Sequence, residues 1–362
     1  MRQLVCLSGD AWQGVPTRTQ QLMSRMKDTE VLFFQPPDPE HPKAWREEGK
    51  MLRPGLYVFT MPPVAPPRLS QGLLLRHTRR KLAGFIQARM DRHQFREPVF
   101  WSATPAGGQL LDAFACRGLV YDCYRFWPEF PAGWESEIAL AADVVFAASP
   151  ELVEHLAPCS ANAVLLPNGA NYQMFARDDL PRPPALKDIR GPVLGFMGSL
   201  WPDLDLTPAR QAALDRPDCT LVLIGPDRGN PQLARLLELP NVRWLDFIPP
   251  IELPDYLCSF DVCLYLLRKD GVDDDILQPR IFEYLSTGKP VVSMLHPGQV
   301  EHFPDVIYGA HSVAEFSVLC SRALDEAGRW AVDRRRAYGR AAAWSERARE
   351  VRRIMESIGL FS

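Results

Sequence analysis

Short apolar runs recur along the chain, and each closes on a small or polar residue before a helical pattern begins. In the first half they are Leu4–Leu7, Val31–Phe34, Leu56–Phe59, Val99–Trp101, Leu119–Tyr121, Val144–Ala147 and Val164–Leu166. In the second half they are Val193–Met197, Thr220–Ile224, Val242–Leu245, Val262–Leu267 and Pro290–Met294. Continuous apolar runs alternating with helices predict parallel strands covered on both faces. The polar, proline-rich stretch 176–192 separates the two series and is expected to be a linker. The expected organisation is therefore a domain at 1–175, the linker, a domain at 193–340 and a terminal helix at 341–362. No internal repeat is visible. Ligands of open α/β sheets bind beyond the carboxyl ends of the strands, so the residues just after each run are the candidates for chemistry. Two such domains facing each other would place the active site in the cleft between them.

Composition narrows the class. A chain of 362 residues with 46% hydrophobic and 23% charged residues is globular, which excludes a disordered or fibrous protein. The formal net charge of -3 argues against a dedicated nucleic-acid binder. The 34 prolines mark turns and connections. The 8 cysteines are scattered, most of them inside apolar runs, with no metal-ligand spacing to the histidines. A reducing cytoplasm is thus the expected compartment. The apolar run at the start is too short for a signal peptide, and no run approaches the length of a membrane span.

Two glycines follow strands in the second half, at Gly198-Ser199 and Gly225-Pro226. Such positions let a ligand approach the backbone. No GxGxxG or Walker fingerprint is present, so the Rossmann dehydrogenase and P-loop classes are not indicated. The most informative segment runs from Asp275 through Arg280, Glu283 and Gly288 to Ser293. Pro279 suits the first turn of a helix that Gly288 ends. Arg280 and Glu283 then share a face near its N-terminus. The bare pair fits an exposed i,i+3 salt bridge. Such a pair can also serve a sugar nucleotide, the guanidinium facing a diphosphate beside a carboxylate that accepts from two ribose hydroxyls, although for the bare pair the salt bridge is the commoner outcome.

The surrounding sequence distinguishes these. It resembles the "xxEYLAxGKPVV" motif, preceded by a basic residue, of GT-B glycosyltransferases of the family-4 type. Asp275 and Glu283 have the spacing of that family's E-x7-E motif, with Asp in the first position. Pro167-Asn168-Gly169-Ala170-Asn171 with Phe175 resembles its "PNGVDxxxF". The first two strand–glycine junctions of the second half and the stretch 239–267 also match in order. Trp344-Ser345-Glu346-Arg347 resembles the last-helix "WxxR". The likeness spans most of the chain and is most specific from 164 to 294. It is strongest to bacterial enzymes of envelope and exopolysaccharide synthesis, including teichuronic-acid-type and xanthan-type glycosyltransferases.

The resemblance implies an α/β GT-B architecture, with two Rossmann-like doubly wound domains facing an interdomain cleft. It implies that Arg280 holds the donor diphosphate, Glu283 the ribose and Asp275 the sugar. Gly198 and Ser199 would approach the phosphates, while Gly225, Pro226, Phe247 and Ile248 flank the base. In the first half, Gly14 and Arg18 lie in a turn feeding a helix, which resembles the loop that meets donor diphosphate or acceptor. Asp122 in Val120-Tyr121-Asp122-Cys123-Tyr124-Arg125 matches the first Asp of "YDxxDD" and is the candidate acceptor base, with Glu129 and Glu135 as alternatives. Glu137 matches a family glutamate and would orient groups in the cleft. Two departures stand out. The segment after Met197 lacks the usual Arg and Lys, and Arg125 stands where the xanthan-type branch has a catalytic Asp.

The segment 68–96 carries eight basic residues against Asp91 alone, with an apolar stripe at Leu74, Leu75, Leu82, Phe85, Ile86 and Met90. It suits either peripheral contact with an anionic membrane or an ordinary amphipathic helix with a solvated face. Asp203-x-Asp205 and Asp273-Asp274-Asp275 imitate a metal-binding DxD of the other glycosyltransferase fold, but the paired-domain pattern contradicts that fold, so no metal or other cofactor is expected. The function implied is hexosyl transfer from a UDP- or GDP-sugar to a hydroxyl of a glycan or lipid-linked glycan. The protein would be cytoplasmic, on the inner face of the plasma membrane. The alternatives are a catalytically silent nucleotide-sugar-binding scaffold, motivated by Arg125, and a nucleotide-sugar epimerase of the same architecture.

Overall fold

The structure, a computed structural model, describes residues 2–12, 14–66, 72–178, 180–267, 276–294, 303, 305–326 and 328–361. The chain forms two compact units, Met1–Pro167 with Ser345–Ser362, and Asn168–Trp344.

The first unit is built on an eight-stranded sheet in the order β3-β4-β2-β1-β5-β6-β7-β8. Its strands are β1 (Arg2–Leu7), β2 (Thr29–Gln35), β3 (Lys50–Arg53), β4 (Leu56–Thr60), β5 (Val99–Ser102), β6 (Gly118–Cys123), β7 (Val144–Ala147) and β8 (Ala163–Leu165). All neighbours pair in parallel except β3, which runs antiparallel to β4. The helices α1 (Arg18–Ser24), α2 (Gly72–Arg92), α3 (Ala132–Ala141) and α4 (Pro150–Leu156) connect them. Each central strand buries side chains on both faces, as in β1, where Leu4, Val5 and Cys6 are all inaccessible. Local chemistry sets the helix ends. Ser149 Oγ accepts from Leu152 N at 3.2 Å, with Pro150 in the first turn of α4.

The second unit has a six-stranded, wholly parallel sheet in the order β11-β10-β9-β12-β13-β14. Its strands are β9 (Val193–Met197), β10 (Thr220–Ile224), β11 (Val242–Leu245), β12 (Val262–Tyr265), β13 (Val291–Ser293) and β14 (Ile307–Gly309). Helices α5 (Tyr172–Phe175), α6 (Thr207–Asp215), α7 (Leu233–Leu236), α8 (Leu253–Cys258) and α9 (Pro279–Thr287) follow the chain order, with later helices at Val313–Leu324 and Arg329–Ala341. Pro279 opens α9, and Gly288 closes it at φ +82.

The sequence expectation is corrected at the boundaries. Residues 176–192 are part of the second unit rather than a linker, because Phe175, Leu186 and Ile189 are buried in one core cluster with Val193, Val222 and Phe260. Arg182 Nη1 donates to Ile189 O at 2.8 Å and fastens the segment further. The prolines there turn a packed strap. The chain changes units at Pro167/Asn168 and again at Trp344/Ser345. The last helix, Trp344–Ser357, joins the first unit through the Arg2–Glu356 ion pair at 2.7 Å and through buried Val351 and Met355.

Gly195, in the middle of β9, tests how tightly the second core is packed. A Cβ there would lie 2.1 Å from Phe260 Cδ2. Gly195→Ala is expected to destabilise the protein by about 1–3 kcal/mol through overpacking, and Phe260→Ala by about 3–5 kcal/mol through the cavity it leaves. The double variant should cost clearly less than the two together, as read by urea denaturation.

Candidate functional site

In the second unit the strand order reverses between β9 and β12, which is the position where open α/β sheets bind ligands. Gly198-Ser199 leaves β9 at this point. Gly198 N donates to Ile224 O at 2.8 Å, and Leu200 N to Pro226 O at 2.9 Å, so the loops after β9 and β10 are fastened together. The Ser199 N–H between them has no partner among the described residues. A Cβ on Gly225 would fall 2.2 Å from Gly198 O, and one on Gly198 would fall 2.3 Å from Arg280 Nη1. Both glycines have positive φ, +151 at Gly198 and +138 at Gly225. Only glycine allows this approach of backbone, loop and guanidinium.

Arg280, in the first turn of α9, has its guanidinium carbon 5.2 Å from the Phe196 ring centroid and 5.7 Å from that of Tyr265. Tyr284, one turn on, supports the same spot: its hydroxyl accepts from Met197 N at 2.8 Å. No hydrogen bond or ion pair joins Arg280 to Glu283 among the described residues. The salt-bridge alternative raised by the i,i+3 spacing is therefore not what forms. Burial pushes the Glu283 carboxyl up to about 7, with the Arg280 charge opposing the rise. The site thus combines a cation with a backbone N–H and a carboxylate that have no hydrogen-bond partner among the described residues. Pro226 and Ile248 are half-buried at its borders, Ile248 resting on the core and Phe247 exposed. Asp275, expected to hold the sugar, lies outside the described residues, as do Asp273 and Asp274.

In the first unit the order reverses between β1 and β5. Asp122, at the end of β6, is fully buried. Its Oδ1 accepts from Arg18 Nε at 2.9 Å and pairs with Arg18 Nη2 at 2.9 Å, while Arg18 Nη1 donates to Leu166 O at 2.8 Å. Burial raises the Asp122 carboxyl and Arg18 opposes the rise. This corrects two expectations. Asp122 is inaccessible to an acceptor hydroxyl, and Arg18 is turned inward to tie α1 to β6 instead of facing a diphosphate. Gly14, at φ +68, lies in an exposed turn with open space around it. Glu137 is exposed on α3 and accepts from Gln109 Nε2 at 2.8 Å, so it is apart from Asp122.

Arg125 pairs with Glu129, and its guanidinium carbon stands 3.7 Å from the Trp127 ring centroid. Glu135 accepts from Tyr121 Oη at 2.8 Å and faces His155 Nε2 at 2.9 Å. Asp10, which the motif-based reading passed over, follows β1 and accepts from Tyr124 Oη at 3.0 Å. The signal for it was the Ser8-Gly9-Asp10 that ends the first apolar run.

Removing one partner of a buried ion pair strands the other charge. Asp122→Ala should lower stability by about 3–5 kcal/mol in urea titration, whereas Asp122→Asn, which keeps an acceptor for Arg18, should cost less.

Residues 191–325 match the family model described as glycosyl transferases group 1. The chain is 27% identical to the putative teichuronic acid biosynthesis glycosyltransferase TuaH of Bacillus subtilis (strain 168), over 63% of this chain and 64% of that protein. The match therefore covers under two thirds of that relative's length. Among solved structures, the chain resembles sucrose-phosphate synthase from Thermosynechococcus elongatus, with a TM-score of 0.75, 16% identity and 99% of each chain covered. It also resembles Anabaena HepE in complex with UDP-glucose, with a TM-score of 0.69 and 15% identity, covering 99% of this chain and 100% of that one. In fold and in domain sequence the chain is similar to GT-B glycosyltransferases of the family-4 type, with two Rossmann-like units and a group 1 glycosyl transferase domain in the second.

Proposed function

We propose that the protein transfers a sugar from a UDP- or GDP-sugar to a hydroxyl of a glycan or lipid-linked glycan in the synthesis of cell-envelope polysaccharide. The observation that carries this is the convergence of Arg280, Gly198 and the unpaired Ser199 N–H at the strand-order reversal, with Glu283 one turn along the same helix. Arg280 and the Ser199 N–H take the diphosphate, with no metal ion assigned to the role. The Glu283 carboxylate accepts from the ribose hydroxyls, and the base lies between Gly225-Pro226 and Phe247-Ile248. The missing Arg and Lys after β9 leave Arg280 as the main counter-charge. The HepE structure holds UDP-glucose, and TuaH is named for an envelope polymer, which supports the same donor and pathway class here.

A thermal-shift panel of UDP, GDP and their sugars tests this. A ligand at 100 times its dissociation constant adds about 2.7 kcal/mol, several degrees of Tm. One nucleotide should shift the wild type, and Arg280→Ala should lose the shift. Turnover without acceptor would indicate the epimerase, and binding without turnover the silent scaffold. No shift with any nucleotide would sink the donor site.

Glu283 adds a pH signature. Its carboxyl is protonated below about 7 and then accepts poorly. Nucleotide affinity should fall as pH drops through that value, by up to about tenfold per unit below it. Glu283→Gln should bind more weakly at pH 8 and lose most of this dependence in calorimetry, which separates it from titration of the phosphate itself.

For membrane contact, the basic helix offers less than its composition implied. Phe85, Ile86 and Met90 are buried, Arg79 and Arg92 pair with Asp112 and Glu48, and Arg89 stacks on Phe85. The first turns of α2 remain, with Leu73 82% and Leu74 44% exposed beside exposed Arg76 and Arg80. No helix among the described residues is long and apolar enough to cross a membrane. We assign these turns to docking on an anionic bilayer, at about 1 kcal/mol per basic residue. Sedimentation with anionic vesicles should weaken several-fold for each of Arg76→Gln and Arg80→Gln. Equal binding to zwitterionic vesicles would remove the electrostatic contribution.

A further inference from the structure

We infer that Arg228 is a second cation for the donor diphosphate, supplied from the loop after β10 in place of the Arg and Lys that the loop after β9 lacks; this rests on the sugar-transfer reading above. The two loops run side by side beyond their strands. Gly198 N donates to Ile224 O and Leu200 N to Pro226 O, and Arg228 N continues the series to Leu200 O at 3.0 Å. Leu200 and Asp227 form an isolated parallel bridge, so the chain is extended at both residues. Side chains alternate along an extended stretch, and bridge partners share a side. Leu200 is wholly buried in the core, so Ser199 and Trp201 fall on the opposite side. Arg228, next to Asp227, falls there too. Its guanidinium carbon stands 5.8 Å from the Trp201 ring centroid. The backbone pattern thus brings Arg228 beside the Ser199 segment, where the N–H without a partner lies.

The loop pair is held firmly. Asn230 is buried and donates through Nδ2 to Trp201 O at 2.6 Å and to Leu204 O at 2.9 Å, which ties the loop after β9 to the loop after β10. Asp227 Oδ1 accepts from Gly229 N at 2.8 Å and from Asn230 N at 2.9 Å, fixing the turn on both sides of Arg228. Gly229 has φ +91 in that turn, a conformation that favours glycine.

Neighbouring carboxylates are engaged with nearby groups. Asp227 caps its own turn, and Asp205 Oδ1 accepts from Thr207 N at 3.0 Å and Thr207 Oγ1 at 2.6 Å. Arg216 and Arg243 of the same unit pair with Asp218 and Asp188. The Arg228 guanidinium, in contrast, has no hydrogen bond or ion pair among the described residues, and both it and Trp201 are exposed. A sugar nucleotide bears a negative charge on each phosphate, and Arg280 offsets one of them. A guanidinium resting on an aromatic face, with its donors still open, suits the other.

The experiment is calorimetric titration of full-length wild type, Arg228→Gln, Arg228→Lys and Arg329→Gln with UDP and with GDP. Arg228→Gln should bind the preferred diphosphate roughly tenfold more weakly, the worth of one charge-assisted hydrogen bond, with Tm unchanged. Its affinity should also fall less steeply with added KCl, because one screened attraction is gone. Arg228→Lys keeps the charge without the planar fork and should lie between the two. Arg329→Gln removes a charge that is 92% exposed at the start of a later helix, and should match wild type in affinity and salt dependence. Wild-type affinity in Arg228→Gln, an unaltered salt dependence in that variant, or an equal loss in Arg329→Gln would each overturn the assignment while leaving the donor site intact. A wild type that binds neither UDP nor GDP would overturn both.

Discussion

A parallel strand buried on both faces has no side chain to spare for chemistry, and that constraint organises everything else in this protein. Val193–Met197 and Leu4–Leu7 are packed above and below, so whatever they present to a ligand must come from the residue that follows each of them. In both sheets the first strand is also where the order reverses, and helices leave the two sides in opposite senses. This opens a crevice at that strand end. The residues placed there are glycine-led in both cases, Gly198-Ser199 and Gly9-Asp10. Each glycine is so closely approached by neighbouring loops that a side chain would not fit.

What occupies the second crevice depends on keeping two opposite charges apart. Arg280 and Glu283 are three residues apart on one helix, a spacing that ordinarily gives a weak salt bridge. Here the aromatic faces of Phe196 and Tyr265 draw the guanidinium toward the end of β9. Glu283 is left in a crowded setting without a compensating contact, and its carboxyl rises to about 7 as a result. Arg280 keeps only a long hydrogen bond to Met197 O at 3.4 Å, and a cation and a carboxylate held apart in this way are poor for stability. They are well suited to a ligand that carries its negative charge at one end and its hydroxyls at the other.

Much of this was legible in the sequence because it depends on short-range pattern. Every run assigned as a strand is one, since β-periodicity and burial coincide when both faces are covered. The strands overlooked were β3 and β14. The first is Lys50-Met51-Leu52-Arg53 on the antiparallel edge, polar because one side meets solvent. The second is a three-residue edge strand, too short to carry a pattern. The stretch 176–192 misled because prolines mark turns whether or not the turns are packed, and Leu186 and Ile189 are too sparse to show as periodicity. The placement of Asp122 could not be read at all. Its partner Arg18 is 104 positions away, and the closure that buries it requires Leu166 as well. Motif matching finds the residue type at a strand end, but burial is decided by chain segments the motif does not contain.

The same distinction bears on Arg125. Taken as a single position, a cation where the sequence resemblance implies an aspartate suggests a lost activity. In the folded unit Arg125 pairs with Glu129 and stacks on Trp127, so its charge is engaged locally. Its loop still delivers Tyr124 to Asp10 and Trp127 to Gly9. Arg125 on its own therefore says little about activity, whereas the burial of Asp122 against Arg18 takes that carboxylate out of reach of solvent.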